Sequence, residues 1–129
     1  MHKVHYDNNN EIVVIEYLGS IYIEDVKNGS REAAENLKKY QCDRVLVDCR
    51  DTHFNILNDQ IHALPETFSA ILKEFGFDLK KIKRALLVRE IDATFSFMEG
   101  AAVVRGYVVK VFDDADAARS WLLSDKAKL

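Results

Sequence analysis

Cys49, Asp51 and His53 stand at alternate positions near the middle of the chain. A thiol, a carboxylate and an imidazole are the parts of a cysteine hydrolase. That chemistry needs a thiolate held by a nearby base, together with an oxyanion hole. Nearness in sequence establishes neither, and a cysteine ending an apolar run is commonly a small core residue. A small cytosolic enzyme using Cys49, His53 and Asp51 is therefore the alternative reading, and the main reading assigns no catalytic residue. Zinc takes three or four ligands converging at about 2.0–2.3 Å. His53 and His62 lie nine residues apart, and neither HxxxH nor HExxH occurs. No metal site is expected, and His2 and His5 read as exposed strand residues. Neither GxxxxGK[ST] nor GxGxxG is present, so no cofactor is expected.

Two polar clusters follow apolar runs. One is Asp48-Cys49-Arg50-Asp51 with Thr52, His53 and Asn55; the other is Arg89-Glu90 with Asp92. In open α/β sheets, ligands sit outside the carboxyl ends of the strands. If the two strands are neighbours, Arg89 lies close to Asp51 or Asp48. Asp51, Thr52, His53 and Arg89 then form a rim that could dock a partner or a phosphate; a structural ion pair and helix caps account for the same residues. Phe68, Phe75, Phe95, Phe97 and Met98 supply more apolar bulk than one helical stripe needs. Phe95 and Met98 share a face, while Phe97 projects away from it at about 100° per residue. These side chains line a ligand cavity, fill an ordinary core or make a homodimer contact. Lys80, Lys81, Lys83 and Arg84 are the only dense basic run. They read either as a solvated loop entering a strand or as a peripheral contact with an anionic membrane.

The chain that must position these groups has 129 residues, 48% of them apolar, and a formal charge of −3. This is the composition of a soluble globular protein, and its length suits a single domain over residues 1–129. Net negative charge argues against a nucleic-acid partner, since phosphate contacts need a basic face. No pure apolar run exceeds four residues, as in Ile12 to Ile15 and Ala85 to Val88. A membrane-spanning helix needs about 20. Met1 to Asp7 lacks a secretory signal, and two cysteines are too few for a disulfide framework. A cytoplasmic protein is the expectation, with a peripheral membrane location as its variant.

The elements alternate. Lys3 to Asp7, three asparagines and Glu11 to Leu18 read as an opening antiparallel hairpin. Ile23, Val26, Ala33, Ala34, Leu37 and Tyr40 recur at helical steps, although Gly29 favours a start at Ser30. Arg44 to Cys49 and Lys83 to Arg89 contain short apolar runs suited to strands buried on both faces. Between them, Leu57 to Phe75 is helical, with Asn58 as cap, Gly76 as stop, and Pro65 either kinking the helix or starting it. Asp92 caps a third helix whose inward residues are Phe95, Met98, Ala101, Ala102 and Val104, stopped by Gly106. Tyr107 to Phe112 is the last strand, and Asp113-Asp114 caps a helix packing Ala117, Ala118, Trp121 and Leu122. The order β-β-α-β-α-β-α-β-α demands a mixed, mostly parallel sheet with right-handed crossovers.

That order resembles the STAS / SpoIIAA-like family. The resemblance runs nearly the whole length and is carried by Ile12 to Gly19, Val45-Leu46-Val47-Asp48, Gly106 to Phe112, and Asp116-Ala117-Ala118-Arg119-Ser120-Trp121-Leu122. It implies a sheet covered by four helices and no catalytic chemistry. Bacterial members act as partner-binding switches, such as anti-sigma factor antagonists. In them a serine after an aspartate, at the start of the second helix, accepts a phosphate. Asp51-Thr52-His53-Phe54-Asn55-Ile56-Leu57 stands in that region, with no serine and only Thr52 as a hydroxyl, so that role passes to no residue here. The fold is also similar to CRAL-TRIO lipid-transfer domains, which hold apolar molecules between sheet and helices. The expected function is a non-enzymatic binding or regulatory module that recognises a protein partner or an apolar, lipid-like ligand.

Overall fold

Strands and helices follow one another as β1 (His2–Asp7), β2 (Ile12–Ile21), α1 (Ile23–Tyr40), β3 (Arg44–Phe54), α2 (Asn58–Glu74), a single 3-10 turn (Leu79–Lys81), β4 (Lys83–Leu87), α3 (Ala93–Val104), β5 (Val108–Phe112) and α4 (Ala115–Leu123). This is the order expected from the sequence. The computed structural model describes residues 1–124. The five strands lie side by side in chain order. β1 is antiparallel to β2, and every later pairing is parallel.

A sequential parallel order has one consequence for the helices. Parallel crossovers are right-handed, so the helices linking β2 to β3, β3 to β4 and β4 to β5 fall on the same face. The larger apolar cluster, with Val13, Ile15, Tyr17, Ala33, Leu37, Val45, Cys49, Leu64 and Leu72, fills that side. On the reverse face α4 alone packs Ala118 and Leu122 against Ile12, Val14, Leu46, Ala85 and Leu87.

Different devices set the height of each helix above the sheet. α1 is held close: Gly29 is buried, and a Cβ there would lie 2.5 Å from the Tyr17 hydroxyl and 3.0 Å from its ring. The Tyr17 hydroxyl donates to Val26 O at 3.3 Å. α3 is tied to the edge strand by Glu99, whose carboxylate accepts from Val111 N at 2.6 Å. α2 packs chiefly on α1, α3 and the 3-10 turn rather than on a strand. On the reverse face the fully buried Lys83 fastens the end of α4, its ammonium donating to Trp121 O and to Ser124 Oγ. That charge meets carbonyls left unpaired at a helix C-terminus.

Several local boundaries differ from the sequence reading. α1 begins at Ile23, not Ser30, because Asp25 reaches back to accept from Tyr22 N at 2.9 Å. Gly29 marks a close approach rather than a helix start. The residue before α2 is Leu57, whose amide donates to the Gln60 side chain, and Asn58 is the first helical residue. The helix runs through Pro65 rather than starting near it. Asp92 and Asp114 cap as expected, accepting from Phe95 N and Ala117 N. Val104 and Ala117, expected to face inward, are exposed. His2 is half-buried and pairs with Glu32 at 2.7 Å, so of the two N-terminal histidines only His5 is an exposed strand residue.

The Gly29–Tyr17 approach yields a measurable expectation. Helix propensity alone favours Gly29→Ala by about 1 kcal/mol. Overpacking typically costs about 1–3 kcal/mol, so the variant should unfold at lower urea than the parent. Combined with Tyr17→Phe, which removes the nearest atom, it should lose less than the sum of the two single changes.

Candidate functional site

β3 is longer than its apolar run, continuing through the polar cluster to Phe54. Within it, Glu16 pairs with Asp48 but Leu18 pairs with Asp51, so β3 carries an extra residue there. Such a bulge reverses which side chains face which side. Before it, Val45, Val47 and Cys49 point toward the helices; after it, Phe54 does. Asp51 and His53 therefore alternate to the other face and are exposed. The bulge is closed by Asp48, which accepts from Arg50 N at 3.1 Å and forms two bonds with the Arg50 guanidinium at 3.0 and 2.8 Å. Partial burial pushes the Asp48 carboxyl upward, but the Arg50 hydrogen bonds outweigh it and hold the group below the usual carboxylate range.

This geometry dismantles the thiol-hydrolase set. Cys49 is 5% exposed in the core, and the bulge carries Asp51 and His53 away from it. Burial pushes its thiol up to about 12, with the Asp48 charge adding to the effect. A hydrolase nucleophile needs the opposite shift. Thr52 is equally occupied, its hydroxyl donating to Tyr17 O at 2.8 Å. Arg89 does reach across from the end of β4: it pairs with Asp51 and donates through Nε to Arg50 O at 3.1 Å. Both side chains of that pair are more than half exposed (74% and 64%), so it contributes about 0–1 kcal/mol and clips the bulge to its neighbour. His62 packs edge-on against the Phe97 ring, 4.9 Å away. Among the described residues no three His, Cys, Asp or Glu side chains gather as a metal site.

The basic run does not form one surface. Lys80 and Lys81 are exposed on the 3-10 turn, whereas Lys83 and Arg84 enter β4 and, by strand alternation, point to opposite faces of the sheet. Lys83 is spent on α4. The four residues therefore do not present one contact surface, because Lys83 is buried beneath α4 and Arg84, half-buried, faces the cavity.

What the elements enclose is an apolar cavity of about 100 Å³ between the raised α2 and the central strands. Its floor is Val45, Val47, Arg84, Leu86 and Val109; Leu64, Pro65, Phe68 and Leu72 hang from α2, and Phe95, Met98 and Ala102 form the α3 wall. Val47 and Leu86 occupy the two central strands β3 and β4, where full burial is the rule, yet both are only half-buried. The cavity thus opens to solvent. Of the aromatic candidates, Phe68, Phe95 and Met98 line it and Phe95 also meets Phe54 edge-on at 5.9 Å. Phe75 packs elsewhere on the core, and Phe97 is 47% exposed on the outer side of α3. The sequence reading missed Val47, Leu86 and Arg84 as lining residues. Arg84 was legible in principle: it shares strand parity with Leu86 beside a run buried on both faces.

No family model matches the chain, and no curated protein matches it. Solved structures do share its fold. An uncharacterized protein of the DUF3478 family with a SpoIIAA-like fold, from Shewanella loihica PV-4, superimposes with a TM-score of 0.61 at 16% identity, covering 95% of this chain and 92% of that one. The unphosphorylated anti-sigma factor antagonist SpoIIAA gives 0.53 at 12% identity over 91% and 92%. The phosphorylated SpoIIAA, a Bacillus cell fate determinant, gives 0.50 at 11% over 91% and 96%. The fold of this chain is therefore SpoIIAA-like.

A buried, neutral Cys49 has two consequences. At pH 8 it should react with iodoacetamide far more slowly than a free model thiol and match it once urea is added; reaction at the free-thiol rate in native protein would restore the enzyme reading. The second concerns alkaline stability. The native thiol ionises near 12 and the unfolded one near its ordinary 9.0, so its contribution is complete below pH 9 and is lost as pH rises toward 12. Replacing Cys49 by Ala should remove up to about 1.4 kcal/mol per pH unit from the fall in stability across that window.

Proposed function

We propose that this chain is a non-enzymatic binding module whose ligand is a small apolar molecule held between α2, α3 and the central strands. The supporting observation is the incomplete burial of Val47 and Leu86 in the middle of the sheet, beneath a helix that rests chiefly on its neighbours. Native interiors pack as densely as organic crystals, and an apolar void forfeits the contacts its walls would otherwise make. An engineered apolar cavity of about 150 Å³ takes up benzene-sized guests. A ligand entering here replaces missing contacts and displaces water from apolar walls.

A second reading has its own support. α3 is largely apolar, with Thr94, Ser96 and Glu99 as its polar residues, and its outer residues Phe97, Val103 and Val104 are 47%, 53% and 86% exposed, with Ile91 and Leu57 also exposed. Apolar side chains gathered in this way favour a protein partner, which agrees with the regulatory role named for one fold neighbour, an anti-sigma factor antagonist. Because α3 is also the cavity wall, a ligand inside and a partner outside would act on one helix.

Methyl NMR separates the two. Titration with 1-octanol, a neutral apolar probe, should shift the Val47 and Leu86 methyl signals saturably. The Leu86→Trp substitution, which fills the cavity, should abolish the effect. Shifts confined to Val103 and Val104, or shifts that never saturate, would contradict the cavity reading and leave the partner reading.

A further inference from the structure

The cavity floor contains one charge where the pattern calls for an apolar residue. Arg84 stands in register between Val45 on β3 and Val109 on β5, both buried, with Leu86 along its own strand and Ile82 just before it. Its Nε is buried without a hydrogen-bond partner, and among the described residues no carboxylate pairs with the guanidinium. Among the described residues, the ring that the group meets is Phe68, whose centroid lies 5.2 Å from Cζ. Arg44 Nε is the other orphan of this kind, but Arg44 does not line the cavity.

We propose that Arg84 is an anion anchor, and that the ligand of this cavity is an apolar carboxylate whose acid group pairs with the guanidinium while its hydrocarbon lies between α2 and the floor. This rests on the cavity reading above and deepens it. Arg84 is half-buried, and a guanidinium whose Nε is cut off from water without a partner is costly, whereas a planar carboxylate satisfies two of its N–H groups at once. Burial lowers the Arg84 pKa to about 10, against a smaller opposing effect from Tyr107, so the group remains a cation at neutral pH. At about 100 Å³ the enclosed space is too small for a phospholipid and takes only part of an acyl chain, so the rest of a medium-chain or arylalkyl acid would extend toward the opening.

Calorimetric titration with octanoate and with 1-octanol, on the full chain and on Arg84→Met, tests the idea. Octanoate should bind the parent roughly ten- to a hundredfold more tightly than octanol. Arg84→Met should erase that preference while keeping octanol binding. The ligand-free Arg84→Met protein should also melt higher than the parent, since it sheds a half-buried guanidinium whose Nε has no partner; an arginine kept for structure would give a lower melting temperature. Equal affinity of the parent for both probes would overturn the anchor and leave the apolar cavity standing. Failure of both probes to bind would overturn the cavity itself, and with it the anchor.

Discussion

Handedness is the constraint on which this structure depends. Four strands in chain order, joined by right-handed crossovers, commit three helices to one face of the sheet and leave a single helix for the other. Two of the three are drawn down by specific contacts: α1 by the missing side chain at Gly29, α3 by the Glu99 carboxylate on the β5 amide. α2 lies between them and is carried on their shoulders. The space beneath it follows from that arrangement. Most doubly covered sheets close such a gap with side chains; here Val47 and Leu86 stay partly open and Arg84 occupies the floor.

The reverse face is the more conventional half. One short helix covers it, and the buried Lys83 ammonium replaces the missing bulk by meeting the helix-end carbonyls and lying over the Trp121 ring at 4.5 Å. Two adjacent cations on β4 thus have opposite fates. Lys83 is fully engaged in holding α4, and Arg84 is left facing an apolar space. That asymmetry separates a structural charge from one available to a ligand.

Much of the fold was legible from residue pattern alone. Periodicity marks every helix and strand, and the aspartates before α3 and α4 cap where their positions say they should. The misreadings have local causes. Gly29 looks like a helix boundary until Tyr17, twelve residues earlier, is seen to need the space. The polar stretch after Cys49 looks like a loop, yet Asp48 and Arg50 supply the bonds that let β3 bulge and continue. That bulge scatters the thiol, carboxylate and imidazole that spacing had placed together, because one added residue exchanges the faces of a strand. The Arg89–Asp51 pair needed only adjacency of β3 and β4 and was foreseeable. The openness of the cavity was not, since it depends on how high α2 rides and no single residue encodes that height.

A crystal structure under xenon pressure probes the central claim most directly, because xenon enters apolar cavities without needing a particular headgroup. The account expects a xenon atom between Phe68 of α2 and the Val47–Leu86 floor, with the protein otherwise unchanged. A xenon-pressurised crystal in which α2 lies down on β3 and β4 and that space is filled by side chains would contradict it.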